Sequence, residues 1–190
     1  LRIAIARHYR SRYGVDIDPQ RVAVTTGSSA GFNLAFLALF DPGDCVAIAR
    51  PGYPAYRNIL AALGLTVVEV EADAESGFTL TPQNLQAAAV KAGKRLNGVL
   101  LASPANPTGT VTGKAGLKAL ADYCHDNDIA FISDEIYHGL TFAGEETTAL
   151  AVTDEAVIIN SFSKYYCMTG WRIGWMVLPE SQVRAFERIG

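Results

Sequence analysis

Seven short runs of β-branched and apolar residues, the first five alternating with longer amphipathic stretches, constrain this chain more than any other feature. The runs lie at 22–25, 45–49, 66–70, 98–102, 129–133, 156–160 and 173–177. The stretches that read as helices are 3–13, 28–39, 55–63, 82–91 and 112–126. Strands that are apolar on both faces must be covered on both faces, so alternation of this kind predicts an α/β fold. We expect a mostly parallel central sheet with helices on both sides, in three layers. Thr81 before Pro82 reads as a helix N-cap followed by proline at the first helical position. Only residues 161–172 separate the last two strands, too few for a crossover helix. A tight loop and an antiparallel or re-entrant strand are expected there.

The chain has 190 residues, 49% of them hydrophobic, which suits one domain or part of a larger one. It starts at Leu1 without Met or a signal-like segment and ends at Gly190 directly after a helical-looking stretch. Residues 1–190 therefore read as one large domain, incomplete at both ends. A net charge of −3 gives no basic patch for nucleic acid, and no apolar run approaches the ~20 residues that cross a bilayer. The three cysteines, Cys45, Cys124 and Cys167, are far apart, and the histidines lack a metal-binding spacing. We expect buried apolar thiols, a reducing compartment and no metal.

In parallel α/β sheets, ligands gather at the carboxyl ends of the strands. Five segments there carry chemistry. Ser161-Phe-Ser-Lys164 follows a strand, amid aromatics that would desolvate the lysine. Desolvation disfavours an ammonium, and a neutral amine is what forms a Schiff base. Arg172, eight residues on, can grip a phosphate by two parallel hydrogen bonds. A surface lysine and a structural arginine are the ordinary alternative. S-x-x-K also occurs in β-lactamases, but their S-D-N and K-T-G partners are absent.

Gly27-Ser28-Ser29 joins a strand to a helix, where free amide N–H groups and the helix dipole suit a phosphate. Close packing alone would also explain these small residues. The same segment fits the G-x-S-x-G elbow of serine hydrolases, with Ser29 as nucleophile and His125 or His138 as base. Asp134, in Ser133-Asp-Glu-Ile-Tyr137, can pair with a cationic ring nitrogen; Glu135 competes for that role. Asn106, between two prolines, can donate to a phenolate oxygen, and Tyr53 in Pro51-Gly-Tyr-Pro54 can stack on a planar ring.

Taken in order, these five motifs resemble the class I/II aminotransferases, the aspartate-aminotransferase-like enzymes of pyridoxal-phosphate (PLP) fold type I. The resemblance runs over the whole chain and implies a PLP-binding large domain. It implies that Lys164 carries the cofactor as a Schiff base and shuttles a proton between substrate and cofactor. It further implies that Asp134 pairs with the pyridine nitrogen and that Tyr137 and Asn106 hydrogen-bond the phenolic oxygen. Tyr53 would stack on the ring, while Gly27, Ser28, Ser29, Ser161, Ser163 and Arg172 hold the phosphate. The expected activity is amino transfer between an amino acid and a 2-oxo acid, in a cytoplasmic homodimer without nucleic-acid or membrane partners. The same scaffold serves β-eliminating lyases and synthases, and also PLP-binding regulator domains. The family's substrate-carboxylate arginine would lie beyond Gly190.

Overall fold

The computed structural model describes residues 1–142 and 144–190. Its elements follow the predicted alternation: α1 (Arg2–Tyr13), β1 (Val22–Thr25), α2 (Ser28–Leu39), β2 (Cys45–Arg50), α3 (Pro54–Ala62), β3 (Thr66–Glu71) and α4 (Pro82–Ala92). There follow β4 (Gly98–Ala102), α5 (Lys114–Asp126), β5 (Ala130–Asp134), β6 (Val157–Ser161), β7 (Gly174–Val177) and α6 (Val183–Ile189). The strands form one sheet in the order β1-β7-β6-β5-β4-β2-β3. All pairs are parallel except those of β7, which runs antiparallel to β1 and β6. That reversal follows from the short β6–β7 connection, which has no room for a crossover.

Strand parity sorts the core into two layers. Val99 and Leu101 of β4 pack with Leu85 of α4 and with Leu117, Leu120 and Cys124 of α5; Tyr9 of α1 joins this layer. Leu100, between them, joins Phe32 and Phe36 of α2, Leu60 of α3 and Phe186 of α6 on the opposite face. Helices therefore cover both faces, and each fully buried Leu, Ile or Phe contributes roughly 1.5–3 kcal/mol.

Thr81 caps α4 as expected. Its hydroxyl accepts from Asn84 N while Asn84 Oδ1 accepts from Thr81 N, a reciprocal capping box with Pro82 in the first turn. Several boundaries moved by a residue, among them 55–63, which became Pro54–Ala62, and 156–160, which became Val157–Ser161. The helix expected from 112 begins at Lys114, with Gly113 at its N-cap. The strand expected at 129–133 lies one residue later and ends on Asp134, because the β4 ladder pairs Ala102 with Asp134. The expectation of buried thiols holds for Cys45 and Cys124 but not for Cys167, which is exposed in the β6–β7 loop with φ 55°.

Candidate active site

Every predicted site residue lies at one rim of the sheet. Residues 27–29 follow β1, Tyr53 follows β2, Asn106 follows β4, Asp134 ends β5, and Ser161 to Lys164 follow from β6. Arg172 precedes β7, and because β7 is antiparallel its beginning lies at the same rim as the ends of its neighbours.

Parity along β5 separates the two adjacent carboxylates. Ile132 packs in the α2/α3 layer and Asp134, two residues on, faces the same way. Its Oδ2 accepts from the Tyr56 hydroxyl and its Oδ1 from Ile136 N at 3.0 Å. Burial pushes this carboxyl up to about 6, against the pull of the Tyr56 and Ile136 hydrogen bonds. Glu135 faces the other layer, where its Oε1 accepts from Ala149 N at 2.8 Å and from Thr148 Oγ1 at 3.0 Å. The two acids do not compete for one place.

Tyr56 was missed by sequence reasoning. The signal was its spacing: it stands three residues after Tyr53 at the start of α3, hence on the same helix face. Burial and the Asp134 carboxylate raise its phenol well above the usual range, so it stays a donor. Tyr53 is at the N-cap of α3, 45% exposed, with its ring edge-on to Tyr56 at 5.4 Å.

Beside Asp134, Asn106 Nδ2 donates to the Tyr137 hydroxyl at 3.5 Å, a long contact that still brings the two side chains together. The Lys164 ammonium lies over the Tyr137 ring, 5.6 Å from its centroid, within cation–π range. The expected desolvation of Lys164 by aromatics is not met in this chain. Residues 164–167 are exposed, and the Tyr165 and Tyr166 rings pack on each other at 5.0 Å. Tyr165 also lies against Gly139, where a Cβ would come within 2.4 Å of its ring.

At the other end of the cleft, the Arg172 guanidinium rests on Gly27, the N-cap of α2. A Cβ on Gly27 would stand 2.5 Å from Arg172 Nη2, and the backbone there has φ 77°. Glycine is thus required twice, by the turn and by the cation. Arg172 Nη1 also donates to Thr169 O at 3.0 Å. Ser28 and Ser29 open α2; Ser29 is exposed and Ser28 half-buried. Ser161 and Ser163 are buried, with a 2.7 Å hydrogen bond between their hydroxyls, and Ser163 N donates to Ser161 Oγ at 3.0 Å. These two serines shape the loop that presents Lys164.

The serine-hydrolase reading fails on placement. His125 sits in the last turn of α5, at the rim opposite Ser29, and pairs with Glu155 at 2.8 Å. His138 is buried on the α1 side, with Tyr13 and Glu135 as its partners. Neither histidine serves Ser29. Among the described residues no cluster suits a metal ion, and no helix is long and apolar enough to cross a membrane.

The family model for class I and II aminotransferases matches residues 1–190. The chain belongs to the class I and II aminotransferases. It is 51% identical to the valine–pyruvate aminotransferase of Mycobacterium tuberculosis, over 98% of this chain and 48% of that protein. Against the arginine–pyruvate transaminase of Pseudomonas aeruginosa it is 34% identical, over 100% of this chain and 48% of the relative. A solved aminotransferase from Mycobacterium tuberculosis superposes with TM-score 0.93 at 50% identity, over 99% of this chain and 51% of the other. Thermus thermophilus aspartate aminotransferase with maleate gives 0.89 at 35% identity, over 99% and 49%. The chain thus spans about half the length of the relatives it matches.

Membership in this aminotransferase family implies pyridoxal phosphate, and the donor set suits that group. A buried carboxylate suits a ring-nitrogen cation, a paired amide and phenol suit a ring oxygen, and an arginine against a helix N-terminus suits a phosphate.

Proposed function

We propose that the full-length protein is a PLP-dependent aminotransferase that moves an amino group between an amino acid and a 2-oxo acid. The observation that carries this reading is the convergence of Asp134, Asn106, Tyr137, Lys164, Gly27 and Arg172 on one rim of the sheet. When bound, the cofactor supplies an electron sink that lets the Cα–H bond of an amino acid break. The chain's residues supply the rest. Lys164 would anchor the cofactor covalently and, once released, would take the proton from the substrate Cα. Asp134 balances a proton on the ring nitrogen in a place where burial strengthens the attraction. Tyr137 and Asn106 would donate to the ring oxygen, and Tyr53 would stack on the ring. Gly27, Ser28, Ser29 and the α2 amides would bind the phosphate with Arg172, Ser161 and Ser163, the last two also holding their own loop in shape through the bond between their hydroxyls.

Valine with pyruvate is the first pair to test, since the relative at 51% identity carries that name. A homodimer fits the exposed aromatics beside the site, Tyr165, Tyr166 and Trp171, the last 70% exposed. Widely spaced free thiols suit a reducing cytoplasm.

The test is a donor and acceptor screen on full-length protein, reading both new amino acid and released ammonia. Amino transfer with a visible cofactor band that disappears in Lys164→Ala supports the reading. Ammonia release without amino transfer would make the protein a lyase, and a band that survives Lys164→Ala would remove the anchor.

A further inference from the structure

Glu135 is a buried acid without a place in the reading above. It is 1% exposed, and burial pushes its carboxyl up. Three donors satisfy Oε1: Ala149 N at 2.8 Å, Thr148 Oγ1 at 3.0 Å and Ser133 Oγ at 3.3 Å. Among the described residues Oε2 has no hydrogen-bond partner, and it stands 3.6 Å from His138 Nδ1. That same Nδ1 lies 2.8 Å from the Tyr13 hydroxyl of α1.

The geometry restricts where the proton can be. Donors on Oε1 favour an ionised carboxylate, and an isolated carboxylate this deep is strongly unfavourable unless a cation stands near it. If Nδ1 had no proton it would accept from Tyr13, and Oε2 would be left facing a lone pair. If Nδ1 carries a proton, Tyr13 oxygen accepts from it, and only a ring that also keeps its Nε2 proton, the cation, gives Oε2 a counter-charge. The remaining charged or titratable groups around the pair are His8, Tyr9 and Arg12 of α1, Glu146 and Asp134. Arg12 is already engaged by Glu146 at 2.8 Å, and Glu146 also accepts from Gly139 N, so it braces the loop rather than neutralising Glu135.

We propose that Glu135 and His138 form a buried ion pair, completed by Tyr13, that positions the turn carrying Tyr137 directly after Asp134 and keeps the charge behind Asp134 balanced. The assignment rests on the cofactor reading only for its consequence at Asp134. Glu135 raises the proton affinity of Asp134 and His138 lowers it, so the pair acts on that carboxylate with opposing signs. Glu135 and His138 turn to Thr148, Ala149 and Tyr13 rather than to the residues assigned to the cofactor, and are positioning residues.

Infrared difference spectroscopy on full-length apoprotein reads the pair directly. At neutral pH, wild type minus Glu135→Gln should show no stretch of a protonated carboxyl; such a band overturns the proposal. His138→Gln must then leave a charge behind. Either the protonated-carboxyl band of Glu135 appears, or the pH midpoint of the bound cofactor's visible band rises by at least about half a unit, the response to an uncompensated nearby anion. A variant with neither change shows that His138 carried no charge and overturns the proposal. His138→Asn repeats the test should the longer amide prevent folding. A wild-type holoprotein without a visible band would sink the cofactor reading, while the infrared result on the apoprotein still decides the pair.

Discussion

The hydroxyl of Tyr56, at the start of α3, donates to the buried carboxylate of Asp134, at the end of β5. A helix on one layer thereby fixes the rotamer of an acid on the central sheet. Tyr56→Phe keeps the ring, its packing and its helix, and removes only that donor. A hydrogen bond to a charged group contributes about 1.5–3 kcal/mol, so cofactor affinity should fall roughly tenfold or more. Titrating PLP into full-length apoprotein measures this. Unchanged affinity would show that the Ile136 amide orients Asp134 without Tyr56.

Asp134 also gives the apoprotein a distinct dependence on pH. Its carboxyl is raised from 3.8 to about 6 in the fold, chiefly by burial. The folded state therefore holds this proton more tightly than the unfolded chain does. The stabilisation that results is complete below the unfolded value of 3.8 and is lost as pH rises through about 6. At pH 7.5 the ionised acid is a burden of up to about 3 kcal/mol without a cation to face. Asp134→Asn should raise the melting temperature of the apoprotein at pH 7.5, and the gain should shrink towards pH 4. The same variant should retain PLP less well and turn over more slowly, a trade of function against stability. Melting curves across that pH range decide it; a constant difference would mean that Asp134 is not the titrating group.

The alternation of strands and helices was legible because apolar runs this short and this separated allow few other folds. The rim was legible too, since Gly27-Ser-Ser, Asn106 and Lys164 each follow a strand. Sequence left Asp134 and Glu135 as rivals, because which one faces the cleft depends on a register fixed by the β4 ladder. A one-residue shift in the strand boundary exchanges their faces. Tyr56 was hidden because its partner lies 78 residues away. Glu135 and His138 are only three residues apart, but nothing in the sequence says that both side chains turn into the interior. The exposure of Lys164 was misjudged because nearby aromatics in sequence, Tyr165 and Tyr166, pack against each other instead of over the amine.

Thr81 and Asn84 offer a test of local stability on a helix that carries none of the residues assigned to the cofactor. Thr81→Ala removes the oxygen that accepts from Asn84 N and leaves an amide of the first turn unsatisfied. The loss should be about 1 kcal/mol, within the range for capping residues. Chemical denaturation of full-length protein should show it as a lower midpoint with an unchanged slope. Activity should be unaffected when measured well below the melting temperature. A change in cofactor affinity would mean that α4 communicates with the cleft, which its packing against β3 does not suggest.

Gly27 and Arg172 make one phosphate-binding unit, and a double-mutant cycle should reveal it. Gly27→Ala places a methyl where the guanidinium now rests, in a backbone conformation that alone costs about 1–3 kcal/mol for a residue with a Cβ. The arginine must move away, so cofactor affinity falls even though no ligand is removed. Arg172→Ala removes the cation and should cost roughly 1.5–3 kcal/mol of binding. If the first variant acts by displacing Arg172, the double variant should bind PLP little worse than Arg172→Ala alone. Residues in contact are expected to be non-additive by about 0.5–3 kcal/mol. Pyridoxal without its phosphate serves as the control ligand, since its affinity should scarcely respond to either change. Full additivity, or an equal loss for the control ligand, would show that the two residues act through the fold rather than on the phosphate.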